Sequence, residues 1–259
     1  MKQLAAAGEA VPARADAAPA ASKAARPDRA SNRRGGSSAE FRYMWFGQVL
    51  PAALFAVIGI LAASNIAGEV RHPATAGWVG MLRGPVYQSL FVAFCLIPAV
   101  LFVVRRRPVS ADPRILPRAV AFVATTMLLS LNVLPGGPTL ATSPGWVAAV
   151  AAVAVVLAIA GAVWSLITLG LSFGIFPAVR RLITHGPYQL VRHPIYVCEI
   201  VCALTWVVVT VKLVPLLVVA CFIALQVRRI GYEEAILGDT LPEWAAWAKG
   251  RARLIPGVW

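Results

Sequence analysis

From Trp146 to Leu169 the chain carries no charged residue. As a helix, that run is long enough to cross a bilayer core of about 30 Å. Hydrocarbon offers no water to bond the backbone, so the run must satisfy its own N–H and C=O groups, and an α-helix does so. Five further apolar runs are present: Tyr43–Ala67 with Trp45 at its edge, Val86–Val104, Val120–Leu134, Pro194–Val211 and Leu213–Val227. Only Lys212 separates the last two, and Pro215 follows it closely. The spacing predicts a tight helical hairpin there. Composition agrees: 59% of residues are hydrophobic, against about 45–50% in soluble domains. The sequence therefore predicts an all-α integral membrane helical bundle of about six transmembrane helices.

The formal net charge is +13. Its distribution excludes nucleic acid as the partner, because the charges lie between apolar runs and no basic, aromatic-interleaved patch for base stacking is present. It points instead to the lipid bilayer, with phospholipid head groups as the anionic neighbour. With the N-terminus inside, 21 of the 24 Lys and Arg residues fall on the inner side. The three on the outer side are Arg71, Arg83 and Lys212. The positive-inside rule then predicts six spans with both termini cytoplasmic. Residues 1–42 are rich in Ala, Arg, Ser, Gly and Pro and lack apolar periodicity, so they are expected to form a disordered basic cytoplasmic tail. Glu9, Arg14 and Asp16 interrupt any signal-peptide core. Residues 43–145 hold the N-terminal transmembrane helices, and 146–259 form the second membrane region. A composition rich in Ala, Val and Arg suggests a bacterial source, and so an inner (plasma) membrane.

Chemistry-bearing residues collect on the predicted inner face. His185-Gly186-Pro187-Tyr188 reads as a turn, and Arg192-His193-Pro194-Ile195-Tyr196 leads into the fifth span. Pro194 suits the first helical position, where its missing N–H would be unpaired anyway. His193, Tyr196 and Glu199 then fall at i, i+3 and i+6, roughly on one face. Glu199 lies within the apolar run, where a bare carboxylate is expensive and marks a functional hypothesis. The hairpin returns the end of the sixth span to the inner face, which brings Glu233-Glu234 near Arg192-His193. Glu233 also lies four residues after Arg229, a spacing that suits a helix-surface ion pair. The sixth helix is expected to stop near Gly238. Thr240 and Glu243 then have capping-box spacing before a short helix carrying Trp244 and Trp247. Cys95, Cys198, Cys202 and Cys221 lie in predicted helices without metal-ligand spacing or a disulfide framework, so no metal site is expected.

Five segments together are more specific than any one: Leu169-Gly170-Leu171-Ser172-Phe173, His185-Gly186-Pro187-Tyr188, Arg192-His193-Pro194-Ile195-Tyr196, Glu233-Glu234 and Leu254-Ile255-Pro256. They closely resemble the isoprenylcysteine carboxyl methyltransferase family, and the related phospholipid methyltransferases share the general plan. The resemblance covers about Trp164 to Pro256. It implies that 146–259 is a methyltransferase-like membrane domain with a cytoplasmic C-terminal cap. It further implies methyl transfer from S-adenosylmethionine to a lipophilic acceptor, a lipid or prenyl-type compound methylated on carboxyl, amine or hydroxyl. By motif position His185, Gly186, Pro187, Tyr188, Arg192, His193, Pro194, Tyr196, Glu233 and Glu234 would bind the cofactor, with Arg192 and Glu233 closest to the chemistry. Two alternatives stand beside this reading: a nicotinamide-dependent membrane reductase of sterol-reductase type, and a non-enzymatic membrane protein on the same scaffold. The absence of a Gly-x-Gly-x-x-Gly fingerprint disfavours the reductase.

Overall fold

In the computed structural model, residues 44–71, 77–133, 145–210 and 213–259 are described. Residues 1–43, Lys212 and most of the loop after Leu134 lie outside them, so the expectations for the tail and for the hairpin's turn residue do too.

The described chain is helical almost throughout. A π-helical turn, Trp45–Val49, leads into α1, Leu50–Arg71. The second span, α2, is Gly77–Val104. It begins at Gly77 rather than Val86 because a π-helical turn, Leu82–Val86, absorbs Pro85 without ending the helix. Next come α3, Ile115–Val133, and α4, Gly145–Leu169. The last two long helices are α5, Pro194–Thr210, and α6, Leu213–Thr240. A short α7, Trp244–Ala248, follows. Two tiny strands, β1 (Ser110–Ala111) and β2 (Ala178–Val179), pair antiparallel and tie the α2–α3 loop to the α4–α5 connection.

Four of these helices, α1, α2, α4 and α6, are long and apolar enough to cross a bilayer. Two shorter apolar helices, Ile115–Leu129 and Pro194–Val208, complete the set. The protein is an integral membrane protein. Large apolar side chains such as Val57, Ile60, Val103, Leu157 and Ile167 face outward, as lipid requires. Inside, Phe55, Phe91, Phe94, Phe102, Leu166 and Ile159 form the main core. Helices α4 and α5 approach closely. A Cβ on Gly161 would stand 2.9 Å from Cys198 Sγ, so only glycine fits that crossing without a shift.

Helix α6 runs on past the apolar stretch to Thr240, carrying Glu233 and Glu234 with it. The expected capping box does not form. Thr240 is the last residue of α6, Glu243 caps α7 with helical backbone angles, and no side-chain cap bond is made. The Leu241 and Trp244 N–H groups are taken instead by the carbonyls of Leu237 and Leu241, which continue the turn. The α2–α3 loop is pinned on the same side. Asp112 is buried and accepts hydrogen bonds from the Arg114 guanidinium, which holds its carboxyl below the usual carboxylate range.

The charge asymmetry gives a topology prediction. Reporter fusions within Arg105–Arg118 and after Trp259 should report inside, and fusions after Ala67 and within Leu134–Gly145 outside. A periplasmic C-terminus would contradict the orientation proposed here.

Candidate functional site

At one end of the bundle three segments meet: the turn before α5, the last turns of α6, and the C-terminal stretch. The turn needs glycine. Gly186 has φ +60°, and a Cβ there would meet the Thr168 side chain at 3.1 Å. It leads to a single 3₁₀ turn, Gly186–Gln189, that buries Pro187 and Tyr188. Burial pushes the Tyr188 phenol up. The His193 carbonyl accepts the Val197 N–H at 3.2 Å, and Pro194 follows His193 as the first residue of α5. Arg192 and His193 therefore stand at the helix mouth, as their sequence position predicts.

The C-terminal stretch docks directly on this mouth. Arg192 N–H donates to the Ala252 carbonyl at 2.9 Å, and His193 N–H to that of Arg253 at 3.1 Å. Arg192 spends its side chain on the same contact. Its Nε donates to the Arg251 carbonyl at 2.9 Å, Nη2 to the Ala248 carbonyl at 2.8 Å, and Nη1 to Glu234 Oε1 at 3.1 Å. Glu234 is the hub. It also accepts from Arg253 Nε at 2.8 Å and lies 3.2 Å from His193 Nε2. One carboxylate thus joins α5, α6 and the C-terminal segment through charge-assisted bonds.

A second network lies beside it. Tyr196 donates its hydroxyl to Glu233, whose Oε1 also accepts from Arg229 Nε at 3.2 Å. His193 and Tyr196 stack at 5.5 Å between centroids, inclined by 7°. Arg229 is 5% exposed. Its Nη2 donates to the Ile175 carbonyl at 2.9 Å and Nη1 to Thr125 Oγ1 at 3.3 Å, and its guanidinium covers the Tyr196 ring at 4.8 Å. The Arg229–Glu233 pair read from the sequence as a surface pair is present, but Arg229 is buried and Glu233 half-buried. Arg229 ties α6 to α3 and to the segment before β2, a role that the i, i+4 spacing alone does not reveal.

Between these networks and the membrane core lies a cavity with about 1200 Å³ of atom-free space, its open mouth included. Its polar lining includes Tyr188, Arg192, His193, Tyr196, Arg229 and Glu233, together with Arg180 and Arg181. Its apolar lining includes Phe55, Phe94, Pro98, Leu128, Leu129 and Leu166. Trp244 and Trp247 of α7 form part of the wall, their rings 5.1 Å apart. Of the residues singled out from the sequence, Tyr188, Arg192, His193, Tyr196 and Glu233 line the cavity together. Glu234 stands just behind them. Gly186, Pro187 and Pro194 shape the backbone around it. His185 is exposed and lies off the cavity wall. Arg180, Arg181 and the Phe173–Phe176 stretch are lining residues that sequence reasoning missed. Their only signal is position, just after the Leu169–Phe173 motif.

Residues 147–239 match the isoprenylcysteine carboxyl methyltransferase (ICMT) family. The chain carries a domain of that family. The ICMT domain spans α4 to the end of α6, and so contains the Arg192-His193 mouth, the Glu233-Glu234 pair and the hairpin between them. The match covers that part of the chain and supports methyl transfer at a membrane, of the general kind, for this domain. No curated protein and no solved structure matches the chain. Helices α1 to α3 and α7 lie outside the matched residues, yet Phe55, Phe94, Thr125, Trp244 and Trp247 from those parts contribute to the cavity wall.

Proposed function

We propose that the protein transfers the methyl group of S-adenosylmethionine to a lipophilic acceptor at the inner face of a bacterial plasma membrane, with both termini cytoplasmic. One observation carries this reading. A single cavity is lined both by polar motif residues and by apolar side chains of the membrane helices. A water-soluble donor and a membrane-soluble acceptor need such a two-faced chamber.

The residues present fit the cofactor. Trp247 Nε1 is buried and has no hydrogen-bond partner among the described residues, and the Trp247 side chain lines the cavity. A buried N–H in that state favours a ligand that accepts a hydrogen bond. Cationic, anionic and aromatic groups stand together there, as a molecule bearing a carboxylate, an ammonium, a ribose and a sulfonium requires. When bound, the cofactor supplies an activated methyl group. The chain's own work is to hold and exclude. Arg180, Arg181 and Trp247 offer donors to a carboxylate or a ribose. Glu233 offers acceptor capacity to an ammonium or hydroxyl, and its position is fixed by Tyr196 and Arg229. Arg192, His193 and Glu234 hold the C-terminal segment against the cavity, which keeps water from the reacting groups. Alignment of donor and acceptor then carries most of the rate, and no covalent nucleophile is needed.

Thermal unfolding of the purified protein in lipid nanodiscs, with S-adenosylhomocysteine or with reduced nicotinamide dinucleotides, separates the readings. Stabilisation by S-adenosylhomocysteine alone is expected. Stabilisation only by a nicotinamide dinucleotide would make the protein a reductase. Stabilisation by neither would leave a scaffold without this cofactor.

A further inference from the structure

The loop between α2 and α3 presents a charged surface that the cavity does not use. Arg106, Arg107 and Arg114 lie on it and Arg118 in the first turn of α3, all four exposed. Arg228 of α6 joins them. Its guanidinium and that of Arg114 stand 5.7 and 5.8 Å from the centre of the same Tyr232 ring. Among the described residues, the acids that act on this surface are Asp112, bonded to Arg114, and Asp239 of α6. Five arginines against two carboxylates leave it cationic. The loop itself lies outside the matched residues 147–239.

Two features separate it from charges that only set orientation. The first is rigidity. β1 pairs with β2, and the Val109 N–H donates to the Val179 carbonyl at 2.7 Å. The Arg106 N–H donates to the Leu171 carbonyl and the Asp112 N–H to that of Pro177, both at 3.1 Å. Arg118 is aimed by its Nε bond to the Asp112 carbonyl at 2.9 Å. The backbone that carries the cations is thus fixed ahead of any partner, which lowers the ordering cost of binding. The second feature is apolar company. Val109 is 74% exposed, Ile115 84% and Leu116 58%, interleaved with the arginines along the chain. That mixture fits the boundary between head groups and acyl chains, where cations meet phosphates and apolar side chains enter the hydrocarbon edge. A soluble phosphate would satisfy the arginines and leave the apolar side chains in water.

We propose that the α2–α3 loop, with Arg118 and Arg228, is a docking surface for anionic phospholipid. The lipid held there borders the cavity, because Arg180, a lining residue, donates its Nε to the Arg106 carbonyl at 2.9 Å.

The test measures lipid retained by the full-length protein in detergent micelles. Dioleoylphosphatidylglycerol is compared with dioleoylphosphatidylcholine, which has the same acyl chains and no net charge. Wild type should retain the anionic lipid about tenfold or more tightly, and high salt should weaken that preference by screening. Arg106→Gln with Arg107→Gln should remove most of it, at about fivefold for each arginine. The same pair changed to lysine should keep it, since the surface is read as charge. Lys249→Gln, an exposed cation on the C-terminal side of the same end, should leave it intact. Equal retention of the two lipids by wild type would overturn the proposal. So would a preference that survives in the double glutamine variant, or one lost equally in Lys249→Gln or in the lysine pair. Displacement of the anionic lipid by equimolar glycerol phosphate would also overturn it, by showing a site for free phosphate instead.

Discussion

Arg229→Ala is expected to destabilise the protein by about 3–5 kcal/mol, the range for stripping one partner from a buried ion pair. The substitution removes bonds to Glu233, Thr125 and the Ile175 carbonyl, and the guanidinium over Tyr196. It also leaves Glu233 without its cation in a largely enclosed place. The companion change decides the cause. Arg229→Ala with Glu233→Gln should recover part of the loss, because the stranded charge is then gone. Thermal unfolding in a mild detergent reads both. A single variant that melts with wild type would show that Arg229 is solvated and that the second network carries little.

Arg192→Ala is expected to weaken S-adenosylhomocysteine binding about ten- to a hundredfold, equivalent to roughly 1.5–3 kcal/mol. The structure makes the route specific. All three guanidinium nitrogens of Arg192 are engaged with Ala248, Arg251 and Glu234, so its loss frees the C-terminal segment. Cleavage by a protease beyond Thr240 should accelerate in parallel. Arg192→Lys should recover only part of both effects, since an ammonium lacks the planar fork that meets three acceptors at once. If Arg192 were only a topology charge, Arg192→Lys would match wild type, and Arg192→Ala would change insertion without changing affinity or cleavage.

The sequence reading succeeds where a local rule governs. Uninterrupted apolar length announces α1, α2, α4 and α6, because a bilayer imposes that length. Pro194 marks the start of α5, because a proline at the first helical position loses no hydrogen bond. The hairpin around Lys212 predicts that Arg192 and His193 meet Glu233 and Glu234, and Glu234 does lie 3.1 Å from Arg192. Non-local events are the ones that stay hidden. That Arg229 is buried depends on Thr125 and Ile175, which are far away in the chain. The docking of Arg251–Leu254 on Val191–His193 depends on backbone hydrogen bonds, which carry no side-chain signature. The capping box at Thr240 fails because α6 runs two residues past Gly238 and takes Thr240 into the helix. Pro85 misleads in the opposite sense, since a π turn keeps α2 continuous through it.

The central claim is methyl transfer from a cytosol-facing cofactor to a lipid-soluble acceptor. It is tested most directly with a methyl-labelled S-adenosylmethionine, added to membranes that contain the protein, followed by extraction into organic solvent. The account predicts label in the lipid extract above that from membranes lacking the protein, and a fall to background with Arg192→Ala. Absence of label from the lipid extract, with wild type inserted, folded and supplied with its own source's lipids, would contradict it.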